Sequence, residues 1–103
     1  MKAQIFNWHG WTSETDPKKL YKDMKKGLID SGFKILSEVE HHFQPYGYTA
    51  LFLLSESHFA IHTFPEEGKS YLELSSCVEG QYKKMQKKLK KSKKMLANYT
   101  FIC

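Results

Sequence analysis

The stretch from Tyr48 to Val78, "YTALFLLSESHFAIHTFPEEGKSYLELSSCV", decides the fold. Its three runs rich in aliphatic, aromatic and β-branched residues, "YTALFLL", "HFAIHTF" and "SYLELSSCV", are separated by only a few turn-forming residues. Parallel strands need a long crossover between them, so such short spacers predict antiparallel neighbours. Strand side chains alternate in direction. In the last run Leu72, Leu74 and Val78 therefore share one face, and Tyr71, Glu73, Ser75 and Cys77 the other. In the middle run Phe59 and Ile61 oppose His58, His62 and Phe64. The apolar set predicts a core beneath the sheet and leaves the unusual groups on the opposite face.

The flanking segments supply the rest of the domain. "KAQIFNWH" (2–9) reads as a strand. In "TDPKKLYKDMKKGLIDSG", Thr15 or Asp16 can cap a helix, Pro17 suits its first turn and Gly32 its end. Leu20, Tyr21, Met24 and Leu28 form its apolar stripe. "FKILSEVEHHF" is a strand closed by the turn former "QPYG". "EGQYKKMQKKLKKSKKML" predicts a second helix with Tyr82, Met85 and Leu89 inward, and "ANYTFIC" a closing strand. The expected order is β-α-β-β-β-β-α-β in a single domain, 1–103, an α+β fold with both helices on one face of an antiparallel sheet.

Composition bounds the partners. All sixteen basic residues are lysine, and eight of them crowd into 83–94; taking these eight from the formal +5 leaves −3. The excess is thus local, and reads as a solvated helix face. Arginine, the commonest bidentate reader of guanine, is absent, so no specific nucleic-acid partner is expected. No apolar run approaches the roughly 20 residues of a membrane span. The opening residues lack the apolar run of a secretory signal, and Cys77 and Cys103 do not make a disulfide framework. The expected location is a reducing cytoplasm.

Five histidines raise the question of a metal. His41 and His42 are adjacent on a strand and face opposite ways; His58 and His62 share a face but lie roughly 13 Å apart. No cysteine-pair zinc pattern is present, and no metal is expected. A nucleophilic triad of Ser57, His62 and Cys77 lacks a nucleophile-elbow sequence, and alternation sets Ser57 and His62 on opposite faces. A break in the backbone at Ser57 would remove that obstacle. The Ser57 hydroxyl can attack the carbonyl of Glu56, turning the amide into an ester. Loss of the serine α-proton then expels the Glu56 carboxylate, and hydrolysis of the resulting dehydroalanine leaves a pyruvoyl group. Such a ketone forms a Schiff base with an amine substrate and serves as an electron sink.

"SESH", "IHTFPE" and a downstream cysteine occur in register within "HHFQPYGYTALFLLSESHFAIHTFPEEGKSYLELSSC" (41–77). This segment closely resembles the small prokaryotic S-adenosylmethionine decarboxylases, pyruvoyl-dependent enzymes made as self-cleaving zymogens. The resemblance is looser before residue 41 and fades after Cys77. It implies cleavage between Glu56 and Ser57 into chains 1–56 and 57–103, with Ser57 becoming the pyruvoyl cofactor. His62 would take the serine α-proton during processing, and Cys77 would return a proton to the substrate carbon. Phe43 matches an aromatic that stacks on adenine, Glu66 a carboxylate that binds the ribose hydroxyls, and Phe64 a pocket-shaping position often held by tryptophan. Thr49 stands where the family usually has a serine that supports processing.

The implied function is decarboxylation of S-adenosylmethionine for spermidine biosynthesis, by a homodimer with sites near its interface. "VEG" follows Cys77 where relatives usually have an immediate glycine, which keeps another amino acid, arginine or ornithine, open as substrate. A noncatalytic binding protein that never processes is the alternative from a different class.

Overall fold

The computed structural model describes residues 3–96. Six strands form one antiparallel sheet: β1 (Phe6–Thr12), β2 (Ile35–His42), β3 (Tyr48–Leu54), β4 (Ser57–Phe64), β5 (Lys69–Ser76) and β6 (Met95–Leu96), in the spatial order β2-β3-β4-β5-β1-β6. Helix α1 (Pro17–Asp30) follows β1 and helix α2 (Glu79–Lys91) follows β5. The expected α+β order is observed. The first strand, expected over 2–9, lies further on, because pairing with β5 from Phe6↔Ser76 to Thr12↔Ser70 fixes its limits. The second helix ends at Lys91, before its expected end, since Met95 pairs with Thr12 in β6. The expected closing strand at 97–103 lies outside the described residues.

Local chemistry accounts for α1. The Asp16 carboxylate accepts the Lys18 N–H at 3.2 Å, satisfying one otherwise orphaned donor, and Pro17 opens the first turn. At the other end Gly32 takes φ 96°, its N–H donates to Ile29 O and that of Phe33 to Leu28 O, each at 3.0 Å. This pair of bonds is the Schellman ending, in which a left-handed residue turns the chain out of the helix. Phe33 is then buried beside the core.

That core lies between the sheet and both helices. Phe52, Phe59, Ile61, Leu72 and Leu74 come from the central strands, Leu20 and Leu28 from α1, and Tyr82, Met85 and Leu89 from α2. The helices approach closely at Gly27, where a Cβ would sit 3.2 Å from the Met85 Sδ and Cε. The glycine weakens α1 intrinsically, by about 1 kcal/mol relative to alanine, yet it makes room for Met85. All eight clustered lysines, from Lys83 to Lys94, are exposed, as a solvated face requires.

Among the described residues no helix covers the opposite face of the sheet. Across it run rows of cross-strand neighbours: His41, Thr49, His62 and Tyr71 in one, Val39, Leu51, Ala60 and Glu73 in the next. Val39, Leu51 and Leu53 are 62%, 46% and 54% exposed there. Among the described residues no helix is long and apolar enough to cross a membrane.

Candidate active site

β3 and β4 are joined by a two-residue connection, Ser55 and Glu56, with Leu54 and Ser57 paired across it. Glu56 takes φ 57°, the left-handed region that glycine adopts freely and that L-residues other than Asn and Asp disfavour. This strained residue forms the acyl side of the Glu56–Ser57 peptide bond. Strained backbone of this kind is concentrated at functional sites. Glu56→Gly in an uncleavable Ser57→Ala background should raise stability by up to about 1 kcal/mol in urea denaturation.

Three groups converge on that bond. The Glu56 carbonyl oxygen accepts the Cys77 N–H at 3.2 Å and the Cys77 Sγ–H at 2.9 Å. The Ser57 Oγ lies 2.7 Å from the same oxygen and 2.6 Å from the Ser76 Oγ, directly across the β4–β5 ladder. Two donors on a carbonyl oxygen withdraw charge from its carbon and can hold negative charge arising there, the arrangement of an oxyanion hole. With Ile5, Leu53, Leu54, His58 and Ser75, these residues line a cleft of about 340 Å³. Cys77 is an exposed free thiol between β5 and α2.

The remaining candidates gather elsewhere. Phe43, Thr49, His62, Phe64 and Glu66 line a second cleft of about 210 Å³ with Tyr46, Gly47, Tyr48 and Thr63. Phe43 is half exposed, and its N–H donates to Gly47 O at 2.8 Å across the "QPYG" turn. Glu66 sits, exposed, in the 3-10 turn Pro65–Glu67. The Phe64 ring leans on Trp11 with centroids 5.8 Å apart. His62 Nδ1 lies 2.9 Å from Thr49 Oγ1, and its ring stacks on Tyr71 at 6.1 Å. For Nε2 to take up a proton, the ring's own proton must sit on Nδ1 and be donated to Thr49, which fixes both tautomer and orientation.

Burial lowers the His62 pKa below its ordinary 6.5, and the Glu73 carboxylate, on the same face, acts in the opposite direction. The imidazole is therefore neutral near pH 7 and able to act as a base. Its neutral form is favoured by the fold. The stability it contributes is present above the unfolded value near 6.5 and is lost as pH falls through the lowered folded value.

The structure thus brings Glu56, Ser57 and Cys77 together, and separately Phe43, Thr49, His62, Phe64 and Glu66. It does not bring the two groups together within one chain. Ser57 and His62 are five residues apart on a straight strand, roughly 17 Å, and Ser57 turns to the helix side while His62 turns away from it. No bend in the strand unites them: β4 runs unbroken from Ser57 to Phe64. Sequence reasoning had passed over Ser76. The signal lay in parity, since a serine in line with Leu72 and Leu74 puts a hydroxyl on the core face opposite Ser57.

Comparison with known proteins bears on the family and the fold. A family model described as S-adenosylmethionine decarboxylase matches residues 5–98. An S-adenosylmethionine decarboxylase proenzyme from Thermotoga maritima is 40% identical over 58 residues, 56% of this chain and 45% of that protein. The namesake from Brevibacillus brevis is 42% identical over 64 residues, 62% and 48% of the respective chains. The chain spans about half the length of the curated relatives it matches. The crystal structure of the adenosylmethionine decarboxylase from Aquifex aeolicus superposes with a TM-score of 0.65 at 22% identity, over 84% of this chain and 78% of that one, a likeness of fold. With the family model covering nearly the whole sequence, the chain belongs to the S-adenosylmethionine decarboxylase family.

Proposed function

We propose that this chain is a proenzyme that cuts itself between Glu56 and Ser57 and then decarboxylates S-adenosylmethionine, supplying the aminopropyl donor of spermidine synthesis. The observation that carries the reading is the Glu56 carbonyl, held by both Cys77 donors with the Ser57 hydroxyl beside it. The backbone bond from Cys77 would serve any strand connection; the second donor from the thiol and the adjacent serine hydroxyl are what an acyl shift from nitrogen to oxygen would use. A pyruvoyl group made from Ser57 would supply a ketone as electrophile for the substrate amine and as electron sink for decarboxylation.

The chain's own residues supply the rest. Phe43, half exposed, offers a face on which adenine stacks, and an aromatic face also favours the cationic sulfonium. Glu66 accepts from the two ribose hydroxyls, and Phe64, fixed against Trp11, forms the wall. Cys77 returns a proton to the carbon that has lost carbon dioxide, as a thiol in a reducing cytoplasm can.

A homodimer would unite the two clefts. The second is smaller than the roughly 300–1,000 Å³ of ordinary ligand pockets, and neither contains the full set. If two helix-free faces pack about 10 Å apart, a two-fold axis crossing β4 near Ala60 reverses the strand. It lays the Ser57 end of one protomer over the His62 end of its partner. The exposed Val39, Leu51 and Leu53 then become buried.

Carbon dioxide release from S-adenosylmethionine, compared with arginine and ornithine, tests the substrate. Release from a basic amino acid alone would overturn the choice. For processing, cell-free synthesised chain should be cut at a rate that rises with pH, half-maximally below 6.5, and is flat from about 7. Glu73→Gln removes the charge that raises the His62 pKa, so the acid limb should move lower still. His62→Ala should stall after the acyl shift and accumulate an ester that hydroxylamine cleaves; mass spectrometry reads both.

A further inference from the structure

Ser57 has one hydroxyl proton and two acceptors near it, Glu56 O at 2.7 Å and Ser76 Oγ at 2.6 Å. A hydroxyl that donates to the carbonyl it must attack directs its proton, not a lone pair, at that group. Donation to Ser76 instead turns an Oγ lone pair towards the Glu56 carbonyl carbon. Ser76 is held ready to accept: it takes the Val78 N–H at 3.0 Å, its own proton points to Val78 O at 3.4 Å, and it is buried. Among the described residues of the same protomer, His58, next along β4, lies on the opposite face of the strand from Ser57. The Cys77 thiol is donating to Glu56 O, and His62 is on the far face, roughly 17 Å along the strand.

Resting on the self-cleavage reading, we infer that Ser76 is the processing residue that receives the Ser57 proton and relays it to the departing nitrogen. The Ser57 Oγ–Glu56 C bond forms and the Glu56 C–Ser57 N bond breaks. The Ser57 hydroxyl proton passes to Ser76 Oγ, and the proton of Ser76 passes to the Ser57 nitrogen, which lies across the ladder from it. Charge on the Glu56 oxygen is held meanwhile by the Cys77 N–H and Sγ–H. Nothing is oxidised or reduced, and Ser76 ends as it began. The role confines Ser76 to making the cofactor, because the hydroxyl it serves disappears on processing.

The test compares native chain, Ser76→Ala, Ser76→Thr and Ser76→Val, synthesised cell-free and followed by intact mass with and without hydroxylamine. Thr and Val have nearly the same shape and differ in the hydroxyl, so this pair isolates the relay even where Ala disturbs the start of α2. Ser76→Val and Ser76→Ala should be cut on the order of 10²-fold more slowly than native, the lower range of general acid–base effects. Neither should accumulate a hydroxylamine-cleavable ester, since the block precedes the acyl shift. Ser76→Thr should keep most of the native rate. Equal rates for Thr and Val, or ester accumulating in either the Val or the Ala variant, would overturn the relay while leaving self-cleavage intact. A native chain that stays whole would overturn both.

Discussion

Ser57→Ala leaves the chain whole at 12.1 kDa, less the serine oxygen, while the native sequence yields fragments 1–56 and 57–103. The expectation follows from the positions of three groups. The hydroxyl that attacks, the carbonyl it attacks and the donors that hold the carbonyl oxygen all lie within hydrogen-bonding distance. Alanine removes the attacker without disturbing the other two. The products identify the chemistry. Together the native fragments should equal the uncut chain plus one water less one ammonia, and 57–103 should resist amine-directed sequencing yet react with hydrazine. Plain proteolysis would add water without losing ammonia, and would leave a free amine.

Loss of decarboxylation should accompany loss of cleavage, by roughly 10⁴-fold or more, the scale seen when a group that forms a covalent bond with substrate is removed. A Ser57→Ala chain that still released carbon dioxide at a tenth of the native rate, to order of magnitude, would sink the pyruvoyl reading. A native chain that remained uncut would sink it too, and would turn attention to a binding role for the helix-free face.

Most of this fold was legible because its decisive signals are local. The runs 48–54, 58–64 and 70–78 are rich in aliphatic, aromatic and β-branched residues, the connections between them are too short for crossovers, and Asp16, Pro17 and Gly32 mark the ends of α1 by their own backbone chemistry. What the sequence placed less well depends on distant partners. The limits of β1 come from its register with β5, and the end of α2 from the claim of Thr12 on Met95. The site was legible by residue type, and alternation already set Ser57 and His62 on opposite faces. The missing step was that β4 does not bend to reconcile them. Ser76 escaped notice because a serine beside a cysteine is unremarkable along the chain, and its significance is the residue opposite it.

Mixing two inactive variants should restore activity. Cys77→Ala damages the cleft at the Ser57 end, and Glu66→Gln the cleft at the His62 end. Each homodimer then carries the same lesion in both sites. If each site takes its Ser57 end from one protomer and its His62 end from the other, a heterodimer of the two variants holds one site with both lesions and one with neither. Random co-assembly makes about half the dimers mixed, each with one intact site of two, so about one quarter of native activity should return. Cys77 also holds the Glu56 carbonyl, so cleavage of each chain is read by mass alongside. In the heterodimer the intact site draws its Ser57 and Cys77 from the Glu66→Gln protomer, which processes with native donors. If the site were contained in one chain, every site in the mixture would carry a lesion and no activity would return. Leu51→Lys on the exposed apolar face should abolish the restoration by placing two like charges in the interface, where an unpaired charge is strongly disfavoured. Restoration that survives Leu51→Lys would move the interface to another surface, and with it the explanation for a protein whose two half-sites lie on opposite ends of one strand.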